Sequence, residues 1–425
     1  MDILLILASY KKNVNFTRFI YPALELQQIS SLTNDNYNIN MVDERFNQIN
    51  FKKKYQCDLV GISTTTYNAF RAYELADEFR KRGITVVLGG WHPSALPEEA
   101  KQHADSVVIG EAEDTWPQLL KDFEKGELKP FYYQEKPVNL DFIPPADHDL
   151  YKGTHLFDAV QASRGCPHGC EFCSISNMKY RNEFRKRKIK NIRNEVESLK
   201  RKHIIFNDPS LTIDVKFTKN LFLELKKLDK KIFCNGNINV LGKDEELLKL
   251  ASEAGCIGWF VGLESISQES LDTICKKPNV VADYKKAIKK IRDYNMAVNG
   301  SFIFGFDKDT PDIFDKTIEV IDNLDLDVAI CDILTPYPGT PLYSRLEKQN
   351  RIITKDWSKY DTLNVVFKPK KMTEEQLFEG THKVIRHIYS YTKTLKRTLK
   401  SSKLGYPFLT TTLQNIPILS AGLFR

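Results

Sequence analysis

No stretch of this sequence reaches the eighteen or so uninterrupted apolar residues that a membrane-spanning helix needs, so at most a peripheral membrane contact can be argued from it. A secretory leader is not expected from the first residues. The start, Met1-Asp2-Ile3-Leu4-Leu5-Ile6-Leu7-Ala8, is apolar but short, carries an acid where a signal peptide wants a base, and reads as a buried strand. A disulfide framework is absent: eight cysteines stand at 57, 166, 170, 173, 234, 256, 275 and 331, and only three of them cluster. That usage fits a reducing compartment and a metal or cofactor protein, so a cytoplasmic protein is expected. Internal repeats and low-complexity tracts are missing as well. The net charge of +7 is mild, and the 42% hydrophobic and 11% aromatic fractions leave ample apolar material for real cores, which argues against disorder. At 425 residues the chain is long enough for two or three units.

Residues 1–135 alternate apolar strands with helix-like stretches. Strands are expected at Asp2–Ala8, Ile39–Val42, Leu59–Ser63, Thr85–Gly89 and Ser106–Ile109, with helices near Tyr21–Leu32, Tyr67–Arg82, Glu98–His103 and Thr115–Glu124. Five strands with interleaved helices predict a doubly wound, Rossmann-like α/β domain. In such a sheet ligands sit beyond the strand carboxyl ends, here Ser63-Thr64-Thr65-Thr66, Gly89-Gly90-Trp91-His92-Pro93 and Gly110-Glu111-Ala112-Glu113. A proline-bearing linker follows over 136–155. A second series then runs to about 345, with strands near Asp158–Ser163, His203–Asn207, Lys231–Gly236, Gly258–Gly262, Val298–Phe304 and Val328–Leu334. Six strand–helix units within 156–370 predict a partial (β/α)6 barrel of the TIM type, with active residues at the strand carboxyl ends. From 371 to 425 a helical extension is expected, opening on Thr373-Glu374-Glu375-Gln376 and continuing as an aromatic, basic stretch. Between Lys383 and Lys403 there are seven Lys or Arg and no acid, which suits either a solvated helix face or a surface for anionic lipid.

The segment that carries chemistry is Arg164-Gly165-Cys166-Pro167-His168-Gly169-Cys170-Glu171-Phe172-Cys173, just after the first strand of the second series. Three thiolates on a cubane of four irons leave one iron without a protein ligand and open to a small molecule. Cys166, Cys170 and Cys173 are therefore the candidate metal ligands and catalytic residues. A structural zinc site usually needs four ligands, and no partner pair of Cys or His follows at finger-like spacing. The basic segment Lys179–Arg193 carries eight Lys or Arg against one Glu, lacks a nucleic-acid-binding motif, and reads as a solvated helix.

This C-x-x-x-C-x-x-C triad, with the aromatic Phe172 immediately before the third cysteine, resembles the signature of the radical S-adenosylmethionine (SAM) family. The resemblance spans roughly 156–345 and implies a 4Fe-4S cluster whose open iron chelates SAM, and an electron from the cluster that cleaves SAM to a 5′-deoxyadenosyl radical. Phe260-Val261-Gly262-Leu263-Glu264-Ser265 resembles the family's Gly-x-Glu-Ser element, which implies that Glu264 contacts the polar part of SAM. Asn299-Gly300-Ser301-Phe302-Ile303-Phe304-Gly305 looks like its adenine-binding strand, which makes Ser301, Ile303 and Gly305 candidates for SAM. Pro336-Tyr337-Pro338-Gly339-Thr340-Pro341 resembles the loop after the last strand. Two departures stand out: Phe206-Asn207-Asp208 replaces a pair of consecutive acids, and Asn237-Ile238-Asn239 stands where a basic side chain is common.

The front domain is similar to the cobalamin (B12)-binding domain that precedes many radical SAM barrels. Its Ser63, Thr64, Gly89, Gly90, Gly110 and Glu111 are the implied cofactor-binding residues, in loops that backbone can bring close to a large ring. The D-x-H-x-x-G motif is absent, so no protein histidine on cobalt is expected, and His92 reads as a turn-stabilising imidazole. Together these features predict cobalamin-dependent methylation of an unactivated carbon. A cyclisation or rearrangement within the same architecture and a redox-sensing iron–sulfur protein are the alternatives. The expected partners are a small-molecule or lipid substrate and a reducing electron donor such as a flavodoxin or ferredoxin. Nucleic acid is not expected, and the C-terminal tail supplies the only candidate for peripheral membrane contact.

Overall fold

The computed structural model describes residues 1–10, 21–34, 36–274 and 279–402. The front of the chain forms a six-stranded, all-parallel sheet of β1 (Asp2–Leu7), β2 (Asn38–Asp43), β3 (Leu59–Ser63), β4 (Thr85–Gly89), β5 (Ser106–Ile109) and β6 (Phe131–Tyr133), in the order β2-β1-β3-β4-β5-β6. Its inner strands β1, β3, β4 and β5 are largely buried on both faces, so they read as nearly unbroken apolar runs, while the edge strands β2 and β6 are partly exposed. Alternate residues go to opposite layers. Leu4, Ile6, Val60, Ile62, Val86 and Leu88 pack under the helix Ala69–Lys81, while Ile3, Leu5, Leu59, Val87 and Val108 pack against Trp116, Leu119 and Leu120 of the helix Thr115–Glu124. The sheet has six strands, one more than the five expected. The added strand β6 is only three residues long and follows Pro130, too short to stand out as a run, and it is fixed by pairing with Val107–Ile109.

The second sheet consists of β7 (Asp158–Val160), β10 (His203–Phe206), β11 (Lys231–Gly236), β12 (Cys256–Glu264), β13 (Ala297–Phe304) and β14 (Val328–Ile333). All pair in parallel and in chain order, which gives the partial barrel. Between its first two strands lies a short antiparallel pair, β8 (Ser163–Arg164) with β9 (Arg185–Lys186). This pair corrects the reading of 179–193. Only Ile189–Ser198 is helix, and Arg181, Arg185 and Arg187 turn inward toward Glu111 and Glu195 instead of facing solvent. Buried carboxylates draw them in, because an acid held away from water needs a partner charge.

Beyond the barrel the chain doubles back. Tyr343, Trp357, Tyr360 and Val366 enter the apolar layer of the front domain, and the helix Glu374–Ile388, opened by a Thr373/Gln376 capping box, puts Leu377, Val384, Ile385 and Ile388 into the barrel core. A last helix, Tyr391–Ser402, follows. The apolar segments Tyr406-Pro407-Phe408-Leu409 and Ile416-Pro417-Ile418-Leu419 lie outside the described residues. Among the described residues no helix is long and apolar enough to cross a membrane.

Candidate active site

The cysteine loop is shaped by residues that leave no room for others. Gly165 has φ +87°, and a Cβ there would lie 1.9 Å from the carbonyl oxygen of Glu183. The Cys166 N–H donates to the Arg181 carbonyl at 2.9 Å, and the Cys173 N–H to the Cys170 carbonyl at 3.1 Å. Asn177 donates through Nδ2 to the carbonyls of Cys170 and Cys173, each at 2.8 Å. Cys170 is buried, Cys166 and Cys173 are half-buried, and the Phe172 ring packs against Phe306. Beneath the loop, Asp208 accepts the N–H of Ala162 at 3.1 Å, the N–H of Ser163, and the Ser163 hydroxyl at 2.5 Å. Burial pushes the Asp208 carboxyl up to about 6 in spite of those bonds. The departure at the second strand therefore leaves a single acid that braces the start of the cysteine loop.

The strand ends of the front domain face the same space. Gly90, at φ +101°, admits no side chain, since a Cβ would lie 2.6 Å from the Thr64 carbonyl oxygen. Ser94 Oγ donates to the Gly90 carbonyl at 2.7 Å and accepts the Gly110 N–H at 3.0 Å, which ties two of the loops together. His92 is fully buried and turned away, its Nε2 3.1 Å from Glu99 Oε1, beside the Trp357 ring.

Between the two sets of loops lies a cavity of about 920 Å³. Ser63, Thr64, Gly89, Gly90, Gly110 and Glu111 line it from the front domain, and Cys166, Asp208 and Glu264 from the barrel. Glu264 is buried with φ +64° at a register shift between β12 and β13. Such a backbone is uncommon away from glycine and persists where the surroundings hold it. Ser301, Ile303 and Gly305 do not reach the cavity wall. The C-terminal extension closes over Gly305, where a Cβ would meet Leu377 Cδ2 at 2.9 Å.

Sequence reasoning missed what joins the two halves. Glu111 is buried and takes both terminal nitrogens of Arg185, each at 2.7 Å, and Arg181 Nε at 3.0 Å. Glu113 takes Arg164 at 2.5 Å. Although burial pushes the Glu111 carboxyl up, the Arg185 hydrogen bonds and the charges of Arg181 and Arg164 hold it below the usual glutamate range. Burial pulls the Arg181 guanidinium down to about 10, only partly offset by Glu111. The proximity of both acids to the strand end was visible in the sequence. Their partners, some 50 to 75 residues on, carried no local signal.

The donor set fits the expected groups. Among the described residues no group of three His, Cys, Asp or Glu side chains is arranged around a single ion, whereas a cubane asks three thiols to reach three separate corners. On the front side, hydroxyls and glycine backbone offer a surface that a broad ring can approach.

Three family models match the chain: the radical SAM superfamily over 160–321, the B12 binding domain over 22–120, and a domain of unknown function (DUF4070) over 340–418. The bacteriochlorophyllide d C-8(2)-methyltransferase of Chlorobaculum tepidum is 34% identical over 88% of this chain and 87% of its own, and the C-12(1)-methyltransferase of the same organism 30% identical over 92% and 88%. The chain belongs to the cobalamin-binding radical SAM enzymes. The family's fold is also seen in the methyltransferase TsrM from Kitasatospora setae with cobalamin and a 4Fe-4S cluster bound, at a TM-score of 0.72 with 15% identity, covering 99% of each chain. A 4Fe-4S cluster, SAM and cobalamin are thus the cofactors of this family member, and a small-molecule substrate and an electron donor complete its needs.

Proposed function

We propose that this enzyme transfers a methyl group to an unactivated carbon of a cyclic tetrapyrrole. The observation that carries the reading is the single cavity onto which both the cysteine loop and the cobalamin-side strand ends open. The substrate class comes from the two bacteriochlorophyllide methyltransferases, which match nearly end to end. When bound, the cluster with SAM supplies a carbon-centred radical, and cobalamin supplies the methyl group.

The chain's own residues hold and orient. Cys166, Cys170 and Cys173 would hold the cluster through three thiolates, and Glu264 would meet the polar end of SAM. Ser301, Ile303 and Gly305 lie on the strand behind the cavity wall and would bear on the adenine side only through the residues in front of them, and Phe172 backs the cluster loop. Ser63, Thr64, Gly89, Gly90 and Gly110 would carry the ring of cobalamin, and Glu111 fixes that loop to the cysteine loop through Arg181 and Arg185. The front domain is taken as 1–135 and the linker as 136–155. The barrel is taken as 156–370 and the extension as 371–425; before that boundary Tyr343, Trp357, Tyr360 and Val366 pack toward the front domain, whereas Leu342, Leu346 and Phe367 pack into the barrel core.

The test is anaerobic reconstitution, reduction, and incubation with methyl-labelled SAM and bacteriochlorophyllide d. Labelled pigment together with 5′-deoxyadenosine is expected, and neither from Cys166→Ala. Deoxyadenosine without labelled pigment would point to cyclisation or rearrangement. Redox-dependent partner binding without SAM cleavage would point to a sensor.

The finer partners belong to this proposal as well. A flavodoxin or ferredoxin is the electron donor. The helix Tyr391–Ser402 is turned inside out for a soluble protein: Thr394, Thr398 and Ser401 are buried, while Tyr391, Leu395 and Leu399 are 81%, 59% and 53% exposed. No acid follows Glu379 in the sequence. An apolar stripe beside lysines supports contact with an anionic membrane surface. Vesicles containing phosphatidylglycerol are expected to carry the protein upward in flotation, and Leu395→Asp with Leu399→Asp to abolish this. Equal flotation of the variant sinks the contact.

A further inference from the structure

The charges at the junction of the two domains do not balance. Three guanidinium groups, of Arg164, Arg181 and Arg185, meet two carboxylates, those of Glu111 and Glu113. Arg185 takes Glu111 in a two-pronged fork and Arg164 takes Glu113, so both acids are already committed. Arg181 is the surplus cation. Its Nε lies 3.0 Å from Glu111 Oε1, its guanidinium lies over the Trp91 ring at 5.3 Å, and 21% of its side chain stays exposed on the cavity wall. Two residues away, Lys179 lines the same wall, and among the described residues no carboxylate pairs with it.

Position narrows what these cations meet. The Arg181 carbonyl accepts the Cys166 N–H, while its side chain touches Glu111 and Trp91 of the front domain. Arg181 therefore stands between the two cofactor loops, where a substrate has to lie to receive chemistry from both. A guanidinium partly exposed on the cavity wall can present a planar pair of donors to a carboxylate, and a neighbouring ammonium adds a point charge. An unpaired cation on the wall of a site favours an anionic ligand. The flat indole of Trp91 beside it suits a planar one.

We propose that Arg181 and Lys179 form a subsite for a carboxylate of the substrate, so that the enzyme takes a planar organic acid and holds it by its acid group between the two cofactor loops. The planar-acid part rests on the tetrapyrrole reading above, whereas the anion subsite rests on the charges alone.

The test measures anaerobic binding to the reconstituted full-length protein by fluorescence. The probes are pyropheophorbide a, its methyl ester, and the simpler planar pair 1-pyrenebutyrate and 1-pyrenebutanol. Lys179→Gln and Arg181→Gln are each expected to weaken pyropheophorbide a by about tenfold or more, with the ester unchanged and with SAM and hydroxocobalamin binding unchanged. Lys179→Gln, which breaks no ion pair, carries the test if Arg181→Gln fails to fold. Acid and ester bound alike by every form overturn the subsite and leave the tetrapyrrole reading standing. Pyrenebutyrate bound in a Lys179- and Arg181-dependent way, with neither chlorin bound, sinks the tetrapyrrole and keeps the subsite. Loss confined to SAM or hydroxocobalamin assigns the pair to a cofactor and overturns the proposal, as does a wild type that binds neither acid.

Discussion

Glu111 is where one side chain does most to fix the geometry of the site. Its carboxylate is 1% exposed and faces three guanidinium groups. Removing one partner of a buried ion pair leaves the others uncompensated, and such losses run to roughly 3–5 kcal/mol. Glu111→Gln is expected to lose stability on that scale in urea unfolding at pH 7. The pH dependence follows from the lowered folded-state pKa. The stabilising share of this carboxyl is fully present above the ordinary glutamate value, about 4.3, and is lost as pH falls through the lower folded value. The gap between wild type and Glu111→Gln should therefore narrow on acidification below about pH 4.3, and a constant gap would remove the ionic account. The sequence marked Glu111 as a cofactor residue because it follows a strand end. Its true neighbours could not be read there, since the periodicity of a basic segment such as 179–193 says nothing about a buried acid in another domain.

At the scale of elements, legibility followed length and local chemistry. The strand Lys231–Gly236 stands where it was expected, because a β-branched and aromatic run bounded by polar residues identifies itself. The helix beginning after Thr373 was equally plain from its capping box. The strand β6 and the β8–β9 pair were not, because two or three residues form a strand only when a neighbouring strand supplies the hydrogen bonds. The cysteine loop shows the opposite case, an irregular element whose identity was clear from its residues. Gly165 is its constraint: an alanine there needs a left-handed backbone and places Cβ 1.9 Å from the Glu183 carbonyl oxygen. Gly165→Ala is expected to shift the loop and lower the iron and sulfide bound per chain after reconstitution, while the far-ultraviolet circular dichroism stays that of the wild type. Full cluster occupancy in that variant would show the loop to be more tolerant than its packing suggests.

At the scale of the whole molecule the basic tail and the front domain are held by the same logic of complementary surfaces. Lys383, Lys393 and Lys400 of the last two helices reach Asp315, Asp322 and Asp325 on the barrel, so three of the seven Lys or Arg between 383 and 403 meet acids of the same chain. Such exposed pairs are individually weak. The front domain is held from two sides, by the arginines on Glu111 and Glu113 and by the strap that inserts Trp357, Tyr360 and Val366 into its apolar layer. Trp357 is 3% exposed, and its indole N–H donates to Glu99 Oε1 at 2.9 Å, the same oxygen that meets His92 and Tyr73. Truncating it removes a large buried side chain and a buried donor, a change that typically costs about 3–5 kcal/mol. Because the strap packs on the front sheet rather than on the barrel core, that cost should fall unevenly. In Trp357→Ala, amide hydrogen exchange is expected to quicken in the peptides of Leu59–Ser63 and Thr85–Gly89 and to stay at the wild-type rate in those of β11 and β13. Faster exchange throughout both sheets would mean that the two domains unfold as one unit, with the arginine clamp strong enough to pass the loss across the cavity.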